Sequence, residues 1–251
     1  MKSNFSIYIK KTLVIVGWLV IWEIASQLIT NKIFFVGPIE TMAALFRLVP
    51  TVTFIRSIVF SFSKISFGYL LAFITALLLG ILSYHVPVLK EILSPVVTLM
   101  KTIPVASFVV LLLLWAGSKN LSIFIAFIVV FPIIYLNTIS GMDNVDPKLL
   151  EMATVFSIPF HRQFYSIFWP SLYPYLISSC KVALGMSWKS GVAAELIGQP
   201  VNSIGSQLYM AKIYISTSDL FAWTLVIIFL SVIFEKIFLL LLKRLYQHTI
   251  Y

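Results

Sequence analysis

Six stretches of this chain are apolar for long enough to cross a bilayer, at 12–29, 65–84, 92–115, 121–139, 172–198 and 221–242. A span needs about 20 mainly apolar residues. Inside hydrocarbon each backbone N–H and C=O must find its partner within a helix or a closed barrel. These runs are continuous rather than alternating, so they read as helices, and the chain reads as an all-α polytopic membrane protein. Composition agrees, with 60% hydrophobic residues and only 11% charged ones. A length of 251 residues would otherwise suggest one or two soluble domains. The expectation is instead a single transmembrane domain over 1–251 with about six spans and little mass outside the bilayer.

The formal charge of +9 is scattered over segment ends, not clustered. That pattern suits basic flanks at a membrane surface and not a nucleic-acid partner. The single Cys180 lies in an apolar run and reads as a packing residue, without a disulfide framework. His85, His161 and His248 lie far apart and show no metal-ligand spacing. Lys2, Lys10 and Lys11 precede the first run, which reads as a retained span: it is long, Glu23 interrupts it, and no clear small-x-small cleavage site follows. Pro38, Glu40 and Arg47 then suit the first and last turns of a short interfacial helix. In the third span, Pro104 predicts a kink.

Six spans put both termini on one side. Lys2, Lys10, Lys11, Lys90, Lys101, Lys148, Arg162, Lys243 and Arg244 fall there, against Lys32, Arg47, Arg56, Lys64, Lys119 and Lys212 opposite. The bias predicts cytoplasmic termini in the cell membrane, and with them a cytoplasmic loop over 141–170.

That loop departs from its surroundings. It holds Asp143, Asp146, Lys148, Glu151, His161 and Arg162 between two apolar runs. Asp146 caps a predicted helix with Pro147 in its first turn. Leu149, Leu150, Ala153 and Phe156 give it an apolar side, and Ser157, Ile158 and Pro159 end it. A second helical piece runs to Pro170. One reading is a helix-turn-helix that docks in a partner's groove; the other is an amphipathic loop lying on the bilayer.

The spacing of Glu151, Met152, Ala153, Ser157, Ile167 and Pro170 resembles the Glu-Ala-Ala signature loop of ABC importer permeases, in which Gly and later Ile-x-Leu-Pro follow. Met152, Ser157 and Trp169 depart from that pattern, and Ser tolerates positive φ less well than Gly. Three further blocks resemble the nitrate, sulfonate and taurine branch of the family, which also handles thiamine-precursor-like compounds. They are Ser61 to Ala72; Lys101, Thr102, Ile103 and Pro104 with Trp115, Ala116 and Gly117; and Trp188 to Glu195 followed by Ile204, Gly205 and Ala211. Together the blocks cover roughly residues 35–215.

The resemblance implies a type I ABC importer fold and a permease subunit for a small solute, paired with a second permease copy as a homodimer or pseudo-dimer. It further implies cytoplasmic ABC ATPase subunits that bind ATP and Mg, and an extracytoplasmic substrate-binding protein. Glu151, Ala153, Ser157, Ile167 and Pro170 become ATPase-coupling residues, and the coupling loop a cytoplasmic coupling helix. The chain itself carries no G-x-x-x-x-G-K-[ST] phosphate loop, so it reads as a non-catalytic subunit without a cofactor or metal of its own.

On the fifth span, Lys181, Trp188 and Glu195 recur every seven residues, and Lys189 lies roughly 80° round the helix from Lys181. Ionisable groups at membrane depth point to function, so these four residues are the candidate translocation path. The competing readings are pairing with another span and snorkelling lysines. A membrane enzyme lacks support, because G-x-S-x-G, H-E-x-x-H and paired intramembrane carboxylates are absent. An ATP-independent secondary transporter or channel should show matched broken spans in its two halves. None is visible.

Overall fold

The structure, a computed structural model, describes residues 2–29 and 35–250, and among these no strand occurs. The helices in chain order are α1 (Lys2–Leu28), α2 (Pro38–Leu48), α3 (Val52–His85), α4 (Pro87–Thr102), α5 (Val105–Asp143), α6 (Pro147–Val155), α7 (Phe160–Gln163), a π-helical turn (Phe164–Phe168), α8 (Trp169–Gly198), α9 (Ile204–Ile213) and α10 (Thr217–Ile250). By length and composition α3, α5 and α10 are long and apolar enough to cross a membrane, and 12–28 of α1 forms a shorter apolar helix. α8 is 30 residues long but carries Lys181, Lys189 and Glu195. Lys32 lies outside the described residues.

One expectation needs correction. Residues 92–115 are not one kinked span: α4 ends at Thr102, Ile103 and Pro104 are extended, and a new helix starts at Val105. A proline disfavours helical geometry in the residue before it, so the break falls at Ile103. Within α5 the chain breaks again at Gly117, whose φ of 68° and ψ of 172° suit glycine almost alone. α5 is therefore two helices, 105–116 and 118–143. A further helix, α9, follows α8, and Ser203 starts it through a reciprocal pair of bonds with Ser206.

In lipid, helices associate by close packing, because hydrocarbon tails are as apolar as leucine. α3 meets that need with a stripe of small buried residues, Ser57, Ser61, Gly68, Ala72, Ala76 and Gly80. α5 packs along it and is sandwiched by α8, which presents Ser179, Ala183, Ser187, Gly191 and Ala194. α10 docks from the side by aromatic edges, with Tyr69 and Phe73 meeting Phe238 at centroid distances of 5.0 and 5.1 Å. Arg47 Nη2 binds Asp219 Oδ1 at 2.6 Å, tying α2 to the start of α10. Tyr173 stacks on Tyr246 at the other end of α10, beside the loop that precedes α8.

Candidate functional site: the 141–170 loop and the buried carboxylate of α8

Asp146 Oδ1 accepts the Lys148 N–H at 2.9 Å, and Pro147 opens α6 as the sequence signals. The helix ends at Val155 in a fixed geometry. The Ile158 N–H donates to Ala153 O at 2.9 Å and the Ser157 N–H to Thr154 O at 3.0 Å. This is the Schellman pairing, which needs a left-handed residue at its turn. Ser157 occupies that position at φ 48°. Gln163 Nε2 donates to Ile158 O at 2.6 Å and holds the turn from the other side.

The loop is anchored on the end of α3. Ala153 is fully buried in a cluster with Met142, Val145, Ile167 and Phe168, against which Ile81, Tyr84 and Leu150 pack. The His85 ring sits edge-on to Phe160 and Phe168, at 5.1 and 6.0 Å. Ile167 lies in the π-helical turn, where the Trp169 N–H reaches back five residues to Phe164 O. Pro170 follows in the first turn of α8, where its missing N–H is tolerated. Glu151 is exposed on the outer side of α6.

The apolar side expected for α6 is divided. Leu150 and Ala153 face inward, but Phe156 is 73% exposed, Val155 79%, and Leu149 and Met152 are exposed beside them. An outward apolar cluster on a helix anchored on its other side marks a surface that contacts a protein or a membrane. Sequence reasoning missed the anchor, because Tyr84 and His85 belong to a different span.

The four residues singled out on α8 separate. Lys181 and Lys189 are exposed. Trp188 is buried, its ring 5.8 Å from that of Phe62. Glu195 is fully buried and holds three donors: Ser61 Oγ at 2.6 Å, Ser122 Oγ at 2.9 Å and the Gly205 N–H at 3.2 Å. Ser61 Oγ in turn accepts the Ile204 N–H at 2.9 Å. One carboxylate thus joins α3, α5 and α8 to the N-terminus of α9, where the free N–H groups and helix dipole favour negative charge. Position 205 admits only glycine, because a Cβ there would overlap Glu195. Ser61 and Ser122 were the available signal, as polar residues inside apolar runs.

Binding-protein-dependent transport system inner membrane components match this chain over residues 68–250. It is 30% identical over 164 residues to a permease protein of Bacillus subtilis named for aliphatic sulfonate transport, covering 64% of this chain and 59% of the relative. It is 28% identical over 214 residues to a protein of Methanocaldococcus jannaschii named as an ABC transporter permease, covering 83% and 80%. A nitrate import permease protein of Leptolyngbya laminosa is 28% identical over 160 residues, 63% of this chain and 56% of the relative. The chain thus spans under two thirds of the sulfonate and nitrate relatives.

Proposed function

We propose, from the premise that this chain belongs to the family of binding-protein-dependent transport system inner membrane components, that it is the membrane-spanning permease subunit of an ATP-driven importer. Two copies surround one translocation path, and each crosses the membrane six times with its termini in the cytoplasm. An extracytoplasmic binding protein delivers the solute, a small oxyanion of the kind for which the sulfonate and nitrate relatives are named. Cytoplasmic ABC ATPase subunits bind ATP and Mg, and the chain itself catalyses no covalent step. ATP at one end and the loaded binding protein at the other bias two conformations of the bundle.

The observation that carries this reading is α6: anchored inward through Ala153 and presenting Glu151, Met152, Val155 and Phe156 outward. Glu151, Ala153, Ser157, Ile167 and Pro170 serve the coupling, Glu151 at the contact and the other four by fixing its shape. On α8, Lys181 and Lys189 face the path, while Trp188 and Glu195 hold the helix in place behind them.

Phe156→Asp places a charge in the proposed ATPase contact without touching the inward cluster. We expect the variant to reach the membrane at the normal level and to lose binding-protein-stimulated ATP hydrolysis at least tenfold. Full stimulation in Phe156→Asp and in Glu151→Lys would remove α6 from the coupling surface.

A further inference from the structure

A polar stripe outside α8 lies on α4. Lys90, Ser94, Thr98 and Lys101 fall within an arc of about 80° at 100° per residue, and all four are exposed. The adjoining face, with Val97, Leu93 and Met100, packs into the core. Between the polar face and α5 lies a cavity of about 310 Å³ lined by Lys90, Ser94, Thr98, Lys101, Tyr135 and Asp143 among others.

The charges along this groove are unequal. At the end nearest the 141–170 loop, Lys90 Nζ stands 3.8 Å from Asp143 Oδ2, which offsets part of its charge. Lys101 is eleven residues further, about 16 Å along the axis at 1.5 Å per residue. On the six-span reading, with a hydrocarbon core of about 30 Å, that puts Lys101 near mid-depth and not among the cytoplasmic-side flanks where the charge count set it. Among the described residues no carboxylate lies within 4 Å of it. A lysine at that depth needs a counter-charge or water, and neighbouring hydroxyls make the wall wettable. The Tyr135 hydroxyl donates to Ser83 Oγ at 2.9 Å, which fixes the floor of the groove.

We propose that the groove between α4 and α5 is a binding step for the transported solute as a small oxyanion, with Lys101 as its counter-charge and Ser94 and Thr98 as hydrogen-bonding wall. The inference rests on the permease reading and gives it a specificity-determining residue.

The test uses the full chain in lipid nanodiscs with Thr98→Cys as reporter; the native Cys180 is buried. Rates of modification by an anionic and a cationic methanethiosulfonate are compared, with Lys101 intact, as Lys101→Gln and as Lys101→Arg. The anionic-to-cationic ratio should fall about tenfold in Lys101→Gln, the scale set by one nearby unit charge in a partly wet site, and be kept in Lys101→Arg. Nitrate or methanesulfonate should slow the anionic reagent more than chloride does at equal ionic strength. An unchanged ratio in Lys101→Gln, a reporter unreactive to both reagents, or equal protection by chloride would each overturn the proposal. ATP-driven nitrate uptake by the reconstituted importer reads the permease assignment separately: its absence in the unmodified chain counts against that assignment and leaves the reagent ratios standing.

Discussion

Glu195 takes three hydrogen bonds from groups on three other helices, and each donor loses its partner if the carboxylate is removed. Buried donors left unsatisfied cost about 1–3 kcal/mol each. Glu195→Ala should therefore lower stability by roughly 3 kcal/mol or more, seen as a lower Tm of the detergent-solubilised protein. Glu195→Gln keeps an acceptor oxygen and should lose about 1 kcal/mol. Equal Tm values for all three proteins would contradict the clamp. The sequence made Glu195 conspicuous as a charge in an apolar run, and its spacing with Trp188 put both on one stripe. It could not say what faced that stripe. Ser61 and Gly205 lie 134 and 10 residues away, and only the packing of α3 and α9 brings them to it.

Helix ends were the most legible elements. Asp146 with Pro147, and Pro38 with Glu40 and Arg47, marked α6 and α2 because capping and dipole chemistry is local. The end of α6 carries a testable compromise. Ser157 sits at φ 48°, where glycine avoids the steric cost of a Cβ. Ser157→Gly should stabilise the loop by about 0.5–1 kcal/mol, and Ser157→Val, β-branched at positive φ, should destabilise it at least as much and impair coupling. Hydrogen exchange across 147–163 reads both: slower with Gly, faster with Val. The reverse order would mean that Ser157 does not hold the turn. α9 ends in the same pairing, with Ile215 at φ 54°, and this helix was not legible. Its start signal is Ser203 with Ser206 instead of Ser with Glu or Gln, and its faces show no clear apolar period. The double break at Pro104 and Gly117 was visible as residues, but a proline in an apolar run suits a kink as well as an end.

Across the whole molecule, the bundle separates anchored surfaces from presented ones. One end holds the 141–170 loop, clamped on Tyr84 and His85 and turned outward at Val155 and Phe156. The other holds α2, α9 and the start of α10, joined by Arg47 with Asp219 and by the Glu195 cluster. Helices α3, α5 and α8 run between these ends, packed closely through small residues. The loop is therefore joined to α9 through packed elements rather than through flexible chain, the connection that the proposed coupling needs. The claim at the centre is that α6 is the surface on which the ATPase acts. Its most direct test is disulfide cross-linking in the assembled complex between a cysteine in the surface groove of the ATPase and one placed in this chain, at Phe156→Cys or, as the opposite-end control, at Val201→Cys, which is 81% exposed. The account predicts a cross-link from position 156 whose yield changes between ATP-bound and nucleotide-free states, and none from position 201. A cross-link from 201, or none from 156 in a complex that hydrolyses ATP in response to the binding protein, would contradict it.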